Sequence, residues 1–286
     1  MQIQNIPEIF LKKSELLKDL FVYDFKMNQD VVKDKVNLSL NMFSFLQTGH
    51  KQVHFEDAVV AVNNKQSVLI KSGNCLMTEL LDSEQIYFCK LFFFTNKNIE
   101  NFLEKHNYLL TKLNEKKTTE TSFFVIENDD FINSFVTSIS AILRLESEAT
   151  AQLLAIKFEE IMLYLAHKYG TSFVNYIQAL ASPDSNSSFR KIMEANVNTN
   201  LSLSEIAFLA NMSLSTFKRH FAKEYDTNPG KWLQQKRLNQ ARIVLEKGSK
   251  KASEIYLDYG YNNLSNFSIA FKNEFGYSPK NSSVFD

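Results

Sequence analysis

The sequence predicts an α+β fold with a small β-barrel near the N-terminus, helices in the middle, and an all-α C-terminal domain. Three observations predict it. Short alternating runs of apolar residues fill the first third, a long helical stripe of apolar residues follows, and one residue pattern occurs twice near the C-terminus. A chain of 286 residues is also long enough for about two domains.

The first third contains short segments rich in Val, Ile, Phe and Tyr, which are the residue types favoured in strands. Polar turns such as 63–65 and 72–74 separate them. Many short strands at close spacing predict a small cupin-like barrel or a sandwich. The segments are 38–45, 52–55, 58–62, 67–70 and 86–94.

A broad apolar stripe at helical spacing occupies segment 147–180. Stripes of this width on long helices are often covered by a second subunit, so this segment predicts dimerisation helices and a homodimer. The alternative is that the stripe packs against the chain's own barrel. The side chains expected to contact the partner are Leu154, Phe158, Ile161 and Leu165.

Residues 182–188 are turn formers without a large apolar side chain. They predict an N-terminal domain of residues 1–181, a linker of residues 182–187 and a C-terminal domain of residues 188–286. The net charge of the chain is zero, but the C-terminal domain has 14 Lys and Arg against 9 Asp and Glu. A basic end on a neutral chain suggests a polyanionic partner for that domain.

The C-terminal domain contains an internal repeat. Segment 204–212 is similar to segment 253–261 at an offset of 49 residues, and residues 217–229 are similar to residues 267–279 at an offset of 50. One unit therefore occurs twice, with one extra residue in the turn of the second copy. Two short helices joined by a sharp turn are typical of a helix-turn-helix unit.

The turn residues and the second helix of each copy fit that interpretation. Asn211 and Gly260 stand where the chain must turn, and both residue types tolerate left-handed backbone. The second helix has a pair of phenylalanines four residues apart, which predicts one buried face. Its opposite face is polar, as in a recognition helix that presents polar and basic side chains to bases in the major groove.

Single residues on these helices suggest individual roles. Arg219 is suited to bidentate pairing with guanine, and Asn266 to pairing with adenine. Lysines at the edges of a recognition helix are better placed for phosphates. A Lys–Arg pair on a helix can alternatively be part of an ordinary solvent-exposed face. The repetition of the whole helix-turn-helix pattern favours DNA binding. The segment between the copies, 229–245, predicts one long helix that sets their spacing to about one DNA turn.

Residues 188–286 resemble the DNA-binding domain of the AraC/XylS family, and segments 260–279 and 237–245 carry the resemblance. By position, the resemblance implies base contacts at Ser215, Lys218, Arg219, Ser265, Asn266 and Ile269. We expect phosphate contacts at Ser204, Thr216, Lys223, Ser268 and Lys272. Ile269 departs from the polar residue often found there, which implies fewer base contacts or contact with thymine methyl groups.

The resemblance also implies partners: double-stranded DNA, RNA polymerase and an effector that is an unidentified small molecule or protein. The barrel followed by long helices is similar in layout, more loosely, to the master activators of type III secretion. We therefore expect a sequence-specific transcriptional regulator, an activator, whose N-terminal domain senses a signal or docks a partner.

An enzyme alternative rests on His50, His54 and Glu56, because small barrels of this kind can bind metal. It would make the chain a cupin-like metal-binding enzyme domain fused to a DNA-binding module. The sequence has no nucleophile elbow, phosphate-binding loop or dinucleotide fingerprint, so we expect no catalysis, no cofactor and no metal. Cys75 and Cys89 lack metal-site spacing, and with no apparent signal peptide they suggest a cytoplasmic protein.

Overall fold

The computed structural model describes residues 3–12, 16–112, 121–145, 149–181, 189–248 and 250–284. The chain forms two compact units, Met1–Asn186 and Ser187–Asp286. The predicted linker, 182–187, lies outside the described residues. Within the described ranges, no helix is both long and apolar enough to span a lipid bilayer.

The described strands of the first unit form two five-stranded sheets. They are β1 (Gln4–Ile6), β2 (Leu20–Met27), β3 (Val31–Leu38), β4 (Asn41–Thr48), β5 (His50–His54), β6 (Val59–Asn63), β7 (Gln66–Ile70), β8 (Gly73–Leu80), β9 (Tyr87–Phe94) and β10 (Phe123–Glu127). One sheet has the order β1-β3-β8-β5-β6 and the other β10-β7-β4-β9-β2.

The α+β class predicted from the sequence is confirmed, but the closed barrel is wrong. Among the described strands, no ladder of hydrogen bonds joins one sheet to the other. The alternation of apolar residues predicts strands with one buried face, and it does not distinguish a sandwich from a barrel. The pairing is antiparallel throughout both sheets except between β1 and β3, which are parallel.

In its described residues the first unit also has two 3-10 helices, Glu8–Phe10 and Asn107–Lys112, and four α-helices. The α-helices are α1 (Asn96–Lys105), α2 (Asp130–Leu143), α3 (Ala149–Tyr169) and α4 (Thr171–Ala181). Their apolar faces share one core with side chains of β4 and β9. The phenyl rings of Phe94 and Phe158, for example, lie 5.0 Å apart between their centroids.

The side chains that the sequence assigned to a partner subunit lie in this core. Leu154 and Phe158 are 6% and 5% exposed, and Ile161 and Leu165 are fully buried. They pack against the chain's own sheet and helices. The prediction that these four residues contact a second chain is therefore wrong, and the alternative interpretation of the stripe is correct. Among the large apolar side chains of α3, Ile156 is exposed, at 62%.

The second unit is helical in its described residues. Its helices are α5 (Phe189–Ala195), α6 (Leu203–Leu209), α7 (Leu214–Tyr225), α8 (Pro229–Glu246), α9 (Ala252–Ile255) and α10 (Leu264–Phe275), and a 3-10 helix covers Pro279–Val284. The long α8 lies between the two copies of the repeat. Its apolar side packs against α10 through Leu238, Ala241 and Leu245.

One arginine of α8 connects the loop before the first helix pair to the turn of the second. The side chain of Arg237 donates hydrogen bonds to the carbonyl oxygens of Val197 (2.6 Å from Nε) and Thr199 (2.8 Å from Nη2). Its Nη1 atom lies 2.8 Å from where a Cβ on Gly260 would stand. Burial lowers the pKa of this guanidinium, and its charge is retained because an arginine pKa starts far above neutrality.

Gly260→Ala is expected to destabilise the second unit more than Gly276→Ala. Both glycines have similar left-handed backbone, with φ of 81° and 83°, and only Gly260 faces Arg237. Both changes cost roughly 1–2 kcal/mol for backbone strain. The added methyl at Gly260 also displaces the guanidinium, and a lost hydrogen bond to a charged group costs about 1.5–3 kcal/mol.

Denaturant unfolding followed by Trp232 fluorescence measures this difference, because the single tryptophan of the chain lies in the second unit. The control is the same pair of changes in an Arg237→Ala background, where the excess cost at Gly260 should vanish. An equal cost for the two glycines in the native background would show that Arg237 does not constrain this turn.

Candidate nucleic-acid interface

The first helix pair begins with a capping box. The Ser202 hydroxyl accepts a hydrogen bond from the Glu205 backbone N–H, and the Ser202 N–H donates to the Glu205 carboxylate at 2.6 Å. This reciprocal pair satisfies two donors at the start of α6. The chain then turns at Asn211, whose φ is 55°, and the Ser213 hydroxyl caps α7.

The buried side of α7 is held by an aromatic cluster. Phe217 and Phe221 are fully buried, and the Phe189 ring lies 5.4 Å from that of Phe217. The Phe221 ring stacks on Tyr225 at 4.4 Å and meets Trp232 of α8 edge-on at 5.7 Å. Aromatic rings give a large buried area with defined geometry, so the orientation of α7 about its own axis is well determined.

The opposite face of α7 is exposed to solvent. Ser215, Lys218 and Arg219 are all exposed, as the sequence pattern predicts for a surface that contacts a ligand. Ser215 also shares a hydrogen bond of 3.0 Å with the capping Ser213. The side chains of Lys218 and Arg219 thus project from a helix whose other face is anchored in the core.

The second helix pair repeats this arrangement. Gly260 takes the turn position, the Asn263 side chain caps α10, and Phe267 and Phe271 are fully buried. The pair shares its core with α8. Tyr256, which stands where the first copy has Ala207, packs at the edge of that core, in agreement with a role in helix packing.

The outward face of α10 has polar residues but no cation among the positions expected to contact bases. Ser265 and Asn266 are exposed, and Ile269 is 60% exposed. Ile269 is therefore a large aliphatic side chain at the surface, outside the core that α10 shares with α8.

The residues expected to contact phosphates also lie at the surface. Ser204, Thr216, Lys223 and Lys272 are exposed and Ser268 is half-buried. The hydroxyl groups of Ser204 and Thr216 lie within 3.1 Å and 2.9 Å of the capping serines at 202 and 213. Each is therefore oriented at a helix start, where backbone N–H groups also favour anions.

The sequence-based reasoning missed a basic pocket beside α10. It has a volume of about 590 Å³ and lies between the start of α9, the start of α10 and the final 3-10 helix. Three lysines line it, and they are separated by as many as 30 positions, which hides their proximity in the sequence. They are Lys250, Lys251 and Lys280.

The histidines behind the enzyme alternative lie on one strand. His50 and His54 stand at the two ends of β5, and Glu56 follows the strand. Among the described residues, no three His, Cys, Asp or Glu side chains come together as a metal site. Burial raises the pKa of the Cys75 thiol to about 12 and that of Cys89 to about 11, so both are neutral thiols at physiological pH.

The N-terminal sandwich contains a pocket of about 230 Å³, lined mostly by apolar side chains. A buried ion pair borders it. Lys51 Nζ lies 2.9 Å from the Glu79 carboxylate, to which the Tyr87 hydroxyl also donates at 2.8 Å. Burial lowers the pKa of Lys51, but the charge and hydrogen bond of Glu79, acting together with Cys89 and Cys75, outweigh burial and the pKa is raised.

Comparison with known protein families gives two matches. Residues 41–176 match the family model described as the ExsA N-terminal regulatory domain, and residues 206–282 match one described as a helix-turn-helix domain. The second match runs from the middle of α6 through α10, and the first contains β4 to β10, α1 to α3 and the first half of α4.

Curated relatives include regulators from Yersinia. The thermoregulatory protein LcrF of Yersinia pestis is 26% identical over 183 residues, which are 63% of this chain and 66% of LcrF. The virulence regulon transcriptional activator VirF of Yersinia enterocolitica is 25% identical over 183 residues with the same coverage. The matched part of this chain thus spans slightly less than two thirds of the length of these relatives.

Solved structures show weaker likeness. A structure of apo ToxT from Vibrio cholerae covers 94% of this chain and 98% of its own, with 15% identity and a TM-score of 0.43. A Chromobacterium violaceum regulator with an AraC-type DNA-binding domain covers 33% of this chain and 85% of its own, with 32% identity and a TM-score of 0.31. The chain thus contains a region similar to the ExsA N-terminal regulatory domain followed by a helix-turn-helix domain, and these matches and the Yersinia relatives support the resemblance to the AraC/XylS family.

Proposed function

We propose that the chain is a sequence-specific, DNA-binding transcriptional activator that inserts α7 and α10 into successive major grooves. The observation that carries this proposal is the common design of the two helices. Each buries a phenylalanine pair and leaves its opposite face solvent-exposed and mostly polar. A helix that reads bases needs such a free face, because hydrogen bonds to base edges require side chains that are not engaged in the protein.

The proposed base contacts differ between the two helices. On α7, Arg219 has the fork of donors that matches the O6 and N7 atoms of guanine. On α10, Asn266 is suited to adenine, and Ile269 to the methyl group of thymine. The first helix thus contributes charge and the second contributes amide and apolar contacts.

The names of the relatives support transcriptional activation. One Yersinia relative is called a transcriptional activator and another a thermoregulatory protein. We propose that DNA-bound protein contacts RNA polymerase, and that the N-terminal unit receives the signal. The pocket beside Lys51 and Glu79 supports a small-molecule signal, whereas the exposed apolar residues of the unit support a protein one. Either signal acts only by binding the active and inactive arrangements with different affinity.

A homodimer would present four such helices to two half-sites. Ile156 supports this proposal, because it lies on α3 at 62% exposure while the other apolar faces of that helix are largely buried. Leu145, just before α3, is 56% exposed. Burial of apolar surface of this kind between two chains stabilises a dimer.

Selection of bound duplexes from a random pool tests the proposed function. The full chain should enrich a motif with two parts about one helical turn, or 10–10.5 base pairs, apart. Failure to enrich any motif at low salt would overturn the assignment as a sequence-specific DNA-binding protein.

Arg219→Ala is expected to cost roughly 1–3 kcal/mol of binding at one base pair and to relax the preference there. Arg219→Lys is the matched control, since it keeps the charge and loses the bidentate fork. Both variants should lose the same base preference, and only the alanine variant should have a less steep salt dependence. An unchanged selected motif in both would refute the base-reading role.

Lys272→Ala is expected to weaken binding to all duplexes similarly and to make the slope of log K against log salt less steep by about one. The reason is that a phosphate contact is independent of sequence. Lys65→Ala, at an exposed turn of the N-terminal unit, is the control and should leave the slope unchanged. A loss confined to particular sequences would instead make Lys272 a base-reading residue.

Ile156→Glu is expected to convert a dimer into a monomer in sedimentation velocity of the full chain at micromolar concentration. A charge placed in an apolar contact is desolvated without a partner, which is costly. Val32→Glu, at an apolar residue of the sandwich that is 58% exposed, is the control and should leave the dimer intact. A wild-type chain that sediments as a monomer rules out the dimer, and a dimer that survives Ile156→Glu rules out this surface.

A further inference from the structure

The basic pocket of the second helix pair flanks the proposed recognition helix. Leu264 and Ser268 of α10 form one of its walls. These two residues are four apart and lie on the same side of the helix, between the buried Phe267 and the outward Ser265. The pocket therefore opens along one edge of the face that would enter the groove, and Lys272 continues the same row beyond Ser268.

The walls of the pocket are cationic. Lys250 and Lys251 precede α9, Lys280 is the second residue of the final 3-10 helix, and all three are exposed. The lining residues also include the hydroxyl groups of Ser253 and Ser278, and within the part of the chain that the structure describes no carboxylate lines the pocket. The nearest acidic residue at the start of α9, Glu254, accepts a hydrogen bond of 2.6 Å from the Lys251 backbone N–H.

The first helix pair lacks this charge. At the repeat offsets, Lys250 and Lys251 correspond to Leu201 and Ser202, and Lys280 corresponds to Gly230. Leu201 is buried and Ser202 caps α6. The two copies otherwise share the same pattern of helices and buried residues, and the first copy packs without lysines at these positions. Helix packing therefore does not require the three lysines of the second copy.

We propose that Lys250, Lys251 and Lys280 form a seat for the phosphate backbone of the DNA strand that runs beside α10. This inference rests on the proposed function and names the ligand chemistry of its second helix pair. Phosphates line both edges of the major groove, so a helix in the groove brings its flanks against them. Lysines act there as point charges that gain affinity through counterion release and carry no sequence information.

The three lysines of the pocket supply the positive charge that the outward face of α10 lacks. In place of Arg219 the second copy has Ile269, so the cations of this copy stand at the flank of the helix instead of its outward face. The second helix pair therefore binds mainly through contacts to DNA phosphates. The first pair supplies the charged contact to a base, through Arg219.

The test compares the full chain with its K250Q/K251Q/K280Q variant on the selected duplex over a range of salt concentrations. Each phosphate contact contributes about 0.9 to the slope of log K against log salt. We expect the slope of the variant to be less steep by about 2 to 3, with the same motif recovered from the random pool. The control, K26Q/K65Q/K97Q, removes the same charge from exposed lysines of the N-terminal unit and should leave the slope unchanged.

A second measurement locates the contact. Methylphosphonate substitution removes the charge of single phosphates, and substitutions beside the half-site of the second helix pair should weaken the wild type and leave the variant unaffected. Equal slopes of log K against log salt for the variant and the control would contradict the proposed phosphate contact. A changed motif in the variant would contradict it as well. Circular dichroism confirms that the variant is folded. Absence of DNA binding by the wild type would refute the proposed function itself, which is a separate outcome.

Discussion

The arrangement of the second unit depends on how Arg237 joins α8 to the chain on both sides of it. Its guanidinium holds the carbonyl groups of Val197 and Thr199 before the first helix pair, and it rests against Gly260 in the turn of the second. The donors of a guanidinium lie in one rigid plane. The Arg237 side chain therefore couples the position of the loop before the first helix pair to that of the turn at Gly260. The requirement for glycine at 260 therefore has two causes: the left-handed backbone, and the space that the arginine occupies.

Around this connection, residues that build the helices are separate from residues that face outward. The phenylalanine pair of α7 and that of α10 are fully buried, and the outward positions make few contacts within the protein. Substitutions on the outward face thus change the chemistry presented to a ligand at little cost in folding free energy, since surface changes usually alter stability by less than about 0.5 kcal/mol. The same scaffold can hold Arg219 in one copy and Ile269 in the other for this reason.

The sequence predicted the features that depend on local rules and missed those that depend on tertiary placement. The turn at Asn211, the buried phenylalanine pairs and the strand-rich first third follow from backbone preference and periodicity. The apolar stripe of α3 was misassigned because periodicity shows that a face is buried and does not show what buries it. A barrel was expected where the structure has two separate sheets, because the alternation of apolar residues shows only that each strand has a buried face. The basic pocket escaped notice because its lysines come from separate segments that only the fold brings together.

The distribution of charge between the copies has a consequence for regulation in the proposed activator. Cations at the flank of α10 contribute to affinity for any duplex, whereas Arg219 on α7 contributes to preference among duplexes. In the proposed function, the flank of the second helix pair thus adds affinity for any duplex, and base preference comes from α7 together with Asn266 and Ile269 of α10. A signal that tilted one pair relative to the other would change affinity without changing the preferred bases of the first pair. Free-energy differences of 1–3 kcal/mol, which are typical of coupling between sites, are then sufficient for regulation.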